Sequence, residues 1–339
     1  MAEYVVESKN LTKYYQDFCA LNQVDISVKR GEIYGLVGDN GAGKTTFLKL
    51  LAGQIFPGGG EIKLFGKHEP KELDAMRSRM GVIIENPGFY PQLSVEKNLE
   101  YYRIQKGIPG RNSMEEALEI TGLKDARKKA CKNLSLGMKQ RLGLAIALMG
   151  VPELLLLDEP INGLDPSGII EMRNLLLRLN QEKNITILIS SHILSELEHI
   201  ATMYGFLRKG QLLEQVSAEQ IRKKCSDYVE ILVSDAERYT VALEQKMGHT
   251  DYKILPDKKI HIYNTKESIE VYSRLAAEAG LEVMALSKCQ QTLEEYYMKL
   301  NTDEHAVKQN ANGCITTKSG RKEATEQIPN GRFTDGGEK

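Results

Sequence analysis

The stretch GDNGAGKT, residues 38–45, decides how the rest of the chain is read. It stands between an apolar run, EIYGLV, and a run of helical character, TFLKLLAG. Gly38, Gly41 and Gly43 crowd into six positions, which would weaken a strand or a helix. Glycines at this density point to a backbone that must come very close to something.

Gly38, Gly43, Lys44 and Thr45 match the spacing G-x-x-x-x-G-K-[ST], with a strand expected before and a helix after. Glycines let consecutive N–H groups turn inward as an anion nest, and the helix N-terminus adds the positive end of its dipole. Gly38, Asp39, Asn40, Gly41, Ala42 and Gly43 are therefore expected to wrap a nucleotide polyphosphate. Lys44 supplies a point charge for the β- and γ-phosphates, Thr45 a hydroxyl for Mg2+, and Thr46 is expected to bind the nucleotide beside them.

The run LLLLDEP supplies the complementary half. Asp158 ends an expected buried strand, where a hard cation bridging phosphates needs an oxygen ligand. Glu159, one residue on, points elsewhere and suits the polarising of a water that attacks the γ-phosphate. Phosphate loop and acidic strand end together predict a nucleotide polyphosphate and Mg2+ as ligands, a pattern that fits many nucleotide-hydrolysing folds.

Composition narrows the setting. The 339 residues are enough for two domains, and a net charge of −1 gives no basic field for nucleic acid. The five cysteines are scattered without a CxxC pair, as expected of reduced thiols rather than a disulfide frame or zinc site. The first residues, MAEYVVESKN, carry no basic flank or apolar core, so no signal peptide is expected. No apolar run approaches the ~20 residues of a membrane helix, so any membrane part must come from another chain.

Along the chain, YVVES, VDISV, EIYGLV, GEIKLFG, GVIIE, PELLLLDEP and TILISS read as strands. Helices are expected at 45–53, within KELDAMRSRM, and at 94–106, 113–121, from Ser135 onward, and from Pro166 to about Lys183. Buried strands alternating with helices predict an α/β fold with a mostly parallel sheet. TMYGFLRKGQLLEQ reads as a hairpin turning at Lys209-Gly210. From about residue 226 the order becomes β-α-β-β-α-β, the split-βαβ or ferredoxin-like plan, and TLEEYYMKL adds a last helix. The expected domains are 1–225, 226–300, and a polar, disordered tail over 301–339. His249 and His261 are too far apart to read as a metal pair.

The sequence LSLGMKQRLGLAIAL, just ahead of LLLLDEP, separates the phosphate-loop folds. Here the chain resembles the ATP-binding subunits of ABC transporters, whose signature is ideally LSGGQ. Leu134, Ser135 and Gly137 match it; Leu136 and Met138 depart. The resemblance implies a cassette of parallel sheet, antiparallel β subdomain and helical subdomain over about 1–215. It implies that Tyr15, with Tyr14 as the neighbouring alternative, stacks on adenine, and that Ser135 and Gly137 bind an anion. It also implies that Asp165 in INGLDP is the acidic residue of the D-loop and that His192 contacts the γ-phosphate. Where the family carries Gln after the GVII strand this chain has Glu85, which could ligate Mg2+ beside Thr45 and Asp158 or hold the attacking water. Gln92 lies too far along to replace it.

The fragments IIENPGFYPQLS and LSLGMKQRLG look like the bacitracin and lantibiotic resistance branch, over about 300 residues. That implies an ATPase peripheral to the cytoplasmic face of the membrane, driving a separate integral permease in peptide-antibiotic export. It also implies a head-to-tail homodimer or heterodimer that sandwiches two ATP molecules. Phe89 and Tyr90 are read either as a docking point for the membrane partner or as core. A soluble ABC-type ATPase and a nucleotide-gated regulatory module stand as alternatives. The 226–300 domain is read as regulatory or as reinforcing the dimer.

Overall fold

The computed structural model describes residues 3–85, 88–224, 227–265, 267–290 and 292–302. The stretch from 303 to 339, within the expected tail, lies outside them.

The chain opens with β1 (Tyr4–Tyr15), β2 (Phe18–Val24) and β3 (Ser27–Lys29). β1 outruns YVVES because its later half lacks clean alternation. Asn10 adopts φ 49, and the register with β2 shifts twice between Leu11 and Tyr14. Then come β4 (Ile33–Val37), α1 (Lys44–Leu51) and β5 (Gly59–Leu64). The antiparallel sheet runs β2–β1–β3, with β5 also paired to β1. The next elements are α2 (Pro70–Arg77), β6 (Met80–Ile83), α3 (Val95–Gln105), α4 (Asn112–Ile120), α5 (Leu136–Leu148) and β7 (Leu154–Asp158). They are followed by α6 (Pro166–Lys183), β8 (Thr186–Ser191), α7 (Leu194–Leu197), β9 (Met203–Arg208), β10 (Gln211–Ser217) and α8 (Ala218–Lys224).

The central sheet has the order β10–β9–β4–β8–β7–β6, parallel except for the β9–β10 hairpin. That hairpin turns through Lys209 (φ 46) and Gly210 (φ 78), two positive values as a type I′ turn requires. Strands β4, β7 and β8 are buried along their whole length, which explains their unbroken apolar reading. Alternate residues feed opposite sides. Leu155, Leu157, Ile187 and Ile189 pack against α5 and α6. Leu154, Leu156 and Leu188 pack against α1 and the antiparallel sheet. A third core joins α3, α4 and the other face of α5.

Helix starts follow the sequence. Ser94, Ser135 and Asp165 accept from the backbone N–H of Lys97, Met138 and Gly168, with Pro166 in the first turn of α6.

The remaining elements are β11 (Asp227–Val233), α9 (Ala236–Met247), β12 (Tyr252–Ile254), β13 (Lys259–Ile262), α10 (Ile269–Glu278), β14 (Val283–Gln290) and α11 (Leu293–Thr302). Their sheet is antiparallel, in the order β12–β13–β11–β14, which is the split-βαβ arrangement. Val229, Ile231 and Val233 face Tyr239, Leu243 and Leu275 in a separate core. α11 returns to the central sheet: Tyr296 and Tyr297 pack on Phe206, at ring separations of 5.9 and 5.7 Å.

Candidate functional site

Four neighbouring strands, β9, β4, β8 and β7, run parallel, so their carboxyl ends share one edge of the sheet. At that edge β4 opens into residues 38–43, β7 ends on Asp158, and β8 ends on Ser191, next to His192. Open parallel sheets bind ligands at such edges because the loops all leave there.

The phosphate loop has little room for side chains. A Cβ on Gly38 would lie 2.2 Å from the carbonyl oxygen of Leu207. Gly43 has φ 110, and a Cβ there would lie 2.7 Å from the Ala20 oxygen. The β9–β10 turn backs the loop, with Gly210 N donating to Ala42 O at 2.9 Å. Gly43 caps α1 without a side-chain bond, so the first N–H groups of the helix face the loop's concavity.

Lys44 is only 4% exposed. Its ammonium donates to Gly38 O at 2.7 Å and Asp39 O at 3.2 Å, and meets Glu159 Oε1 at 3.3 Å. Three donors thus have three acceptors. Thr45 Oγ1 donates to Asp158 Oδ2 at 2.8 Å, and Ser190 Oγ donates to Asp158 Oδ1 at 2.6 Å. Glu159 leaves the strand with φ 48, so its carboxylate diverges from that of Asp158. Its Oε2 lies 2.9 Å from His192 Nδ1 and accepts from Asn162 Nδ2 at 3.2 Å. The imidazole contact is close but out of line for a hydrogen bond, and Nδ1 is buried. Ser191 Oγ accepts from Ile193 N at 2.9 Å and donates to Glu196 Oε2 at 3.3 Å, fixing the turn that carries His192. Burial pushes the Glu196 carboxyl above its ordinary range.

Thr45 and Asp158 put hard oxygen donors side by side. That suits Mg2+, which takes one or two protein ligands and completes its shell with phosphates and water. Among the described residues no three His, Cys, Asp or Glu side chains converge into an all-protein cage. Glu85 is not part of this pair: its Oε1 is held 2.5 Å from Lys49 Nζ on α1, and its φ is 62.

Ser135 and Gly137 form a second cluster with Asp165. They line a cleft of about 410 Å³ between the starts of α5 and α6. Among the described residues no hydrogen bond or ion pair joins Ser135 or Asp165 to Lys44, Thr45 or His192. Tyr15 sits at the end of the β1–β2 hairpin, half-exposed and paired with Phe18; Tyr14 is equally exposed on the neighbouring pair. Phe89 and Tyr90 differ in their surroundings. Phe89 packs on the helical core, while Tyr90 is exposed and meets the Tyr101 ring at 4.8 Å. Sequence reading passed over Ser190, Asn162 and Lys49. Only the doubled serine before His192 could have signalled the first; Asn162 lies within the INGLDP run read for Asp165, and Lys49 carries no motif.

The ABC transporter family model matches residues 21–162. The bacitracin transport ATP-binding protein BcrA of Enterococcus faecalis is 42% identical, covering 88% of this chain and 96% of its own. The lantibiotic transport ATP-binding protein SrtF of Streptococcus pyogenes is 41% identical over 62% of this chain and 89% of its own. Among solved structures, cbiO1 of Clostridium perfringens, part of the ABC transporter complex cbiONQ, superposes with TM-score 0.60 at 28% identity, over 65% of this chain and 90% of its own. The dimeric cassette MJ0796, in a post-hydrolysis state bound to ADP and Pi, superposes with TM-score 0.58 at 25% identity, over 63% of this chain and 98% of its own. With a glycine-rich loop beside a carboxylate pair and a likeness of this degree over 88% of its length, the chain belongs to the ATP-binding proteins of ABC transporters and is an ATPase of that family.

Proposed function

We propose that this chain powers a separate membrane permease in the export of, or resistance to, peptide antibiotics of the bacitracin or lantibiotic type. The observation that carries the cargo is the likeness to bacitracin transport ATP-binding proteins along nearly the whole chain. The observation that carries the chemistry is the meeting of Lys44, Glu159 and His192 beside the Thr45–Asp158 pair.

In this reading residues 38–43 bind the phosphates through their N–H groups, and Tyr15 stacks on the adenine. The β- and γ-phosphates replace Glu159 as partners of Lys44. The freed carboxylate accepts a proton from water as the water oxygen bonds to the γ-phosphorus and the bond to the β-bridging oxygen breaks. His192 turns its buried ring nitrogen to the γ-phosphate. Thr45 and Asp158 would hold Mg2+, which would supply charge neutralisation at the phosphates. Glu85 could join them only after leaving Lys49.

The second cluster, Ser135, Gly137 and Asp165, stands apart from Lys44. That separation favours completion of the site by a second subunit, head to tail, in a homodimer or heterodimer. Docking of the permease near Phe89 and Tyr90 is supported by a groove of about 570 Å³ lined by Ile84, Gly88, Tyr102, Lys106 and Ile146. The work would be done at the cytoplasmic face of the membrane. Among the described residues no helix is long and apolar enough to cross one. We assign residues 1–225 to the cassette and 226–300 to an accessory domain that regulates or reinforces the dimer.

Glu159→Gln should lower phosphate release by about 100-fold or more while ATP binding and ATP-dependent dimers persist. Full activity in that variant would remove Glu159 from the mechanism. Purification from native membranes should bring down a multi-helix membrane protein; its absence would favour a soluble ATPase.

A further inference from the structure

One buried hydroxyl joins the two acidic residues of the site. Ser190 is fully buried and lies opposite Asp158 in the β7–β8 register. Its Oγ donates to Asp158 Oδ1 at 2.6 Å and accepts from the backbone N–H of Glu159 at 3.0 Å. A hydroxyl has one proton and two lone pairs, so it fills both roles at once. The same Glu159 N–H also reaches the Ser190 carbonyl, at 3.2 Å.

Two consequences follow for the carboxylates. Asp158 is gripped on both oxygens, by Thr45 on one side and Ser190 on the other, which fixes the plane of its carboxylate. Glu159 holds φ 48, a left-handed conformation that a residue with a side chain keeps only when its surroundings impose it. The Ser190 bond is part of what imposes it. Ser191 does none of this: its hydroxyl serves the turn into α7.

We propose that Ser190 is a positioning residue of the ATPase. Its hydroxyl turns Asp158 toward Thr45, where the cation would be held, and anchors the turn that aims Glu159 at Lys44 and His192. The inference rests on the site reading given above. A purely structural role, satisfying a buried carboxylate, is the competing account.

The test compares the full-length protein with Ser190→Ala and Ser190→Thr. Affinity for a fluorescent ATP analogue is measured with Mg2+ and in EDTA, beside steady-state ATPase and a thermal melt. Ser190→Ala should lower kcat about 10- to 100-fold and cut the Mg2+-dependent gain in affinity about tenfold, as for other residues that orient a metal ligand. Affinity in EDTA should stay at the wild-type value, and Ser190→Thr should restore both losses. The proposal fails if Ser190→Ala keeps wild-type kcat and Mg2+ gain. It also fails if EDTA affinity and melting temperature fall in parallel with activity, or if threonine does not rescue. A wild-type protein with neither ATPase activity nor a Mg2+ effect would instead overturn the reading of the site itself.

Discussion

In the central sheet the strands from β9 to β6 run parallel; in the 227–290 sheet every neighbouring pair runs antiparallel. Both bury an aliphatic core, yet they deploy polar side chains differently. Parallel strands bring all their carboxyl ends to one edge, so Lys44, Thr45, Asp158, Glu159 and His192 converge from three strands. Antiparallel strands face polar groups across the ladder. Glu230 meets His261 at 3.0 Å and Lys259 at 3.2 Å on the face away from α9 and α10, so its carboxylate is answered by cross-strand neighbours. A convergent edge leaves donors and acceptors that a ligand can take over, whereas a paired face satisfies itself.

Matched glycine substitutions test that contrast most strongly. Gly38→Ala forces a Cβ to within 2.2 Å of a backbone oxygen. Nucleotide affinity should fall by about 100-fold, as an overpacking cost of up to about 3 kcal/mol implies. Gly248 ends α9 at φ 62 with nothing near its Cβ, so Gly248→Ala should cost only about 1 kcal/mol of stability. A nucleotide titration and a urea melt of each variant would show it. Equal effects on nucleotide affinity would erase the distinction.

The separate cores allow a second test. Ile231 is fully buried in the core under the 227–290 sheet, and its replacement by alanine should cost about 2–5 kcal/mol there. Calorimetry should show one transition moving while that of the cassette stays. A single transition that shifts as a whole would mean that α11, packed on Phe206, fuses the two regions into one cooperative unit.

Two glutamates sharpen the comparison on a smaller scale, with opposite signs. Burial raises Glu196 beside His192, so the folded protein binds its proton more tightly than the unfolded chain does. The stability it lends is present at low pH and lost as pH rises. Glu196→Gln should therefore raise Tm at neutral pH, with the difference closing below the ordinary glutamate range. For Glu230, burial pushes the carboxyl up, but His261 and Lys259 outweigh it and hold it below its ordinary range. Its stability is present above that range and lost on acidification. Glu230→Gln should lower Tm at neutral pH and become neutral in acid. Each shift should be about 2 °C, since both groups keep some solvent contact. Melts across pH would read both signs; shifts of the same sign would contradict them.

The sequence by itself determined the phosphate loop, the acidic end of β7 and the α/β alternation. These are local facts: glycine spacing, a buried run closed by Asp158, and helical periods with Ser and Asp caps. It also carried the order of the last six strands and helices, because each had its own apolar pattern. Only the tertiary structure decided what those pieces touch. Ser190 reads as one more residue of a buried strand until β7 and β8 lie side by side in register. Glu85 reads as a possible cation ligand, and only the fold shows that α1 brings Lys49 against it. Phe89 and Tyr90 are neighbours in sequence, yet one packs, partly buried, against the helical core and the other faces solvent. The physical reason is the same in each case. Propensity and periodicity act over a few residues, while hydrogen bonds and ion pairs at a site depend on strands brought together from distant parts of the chain.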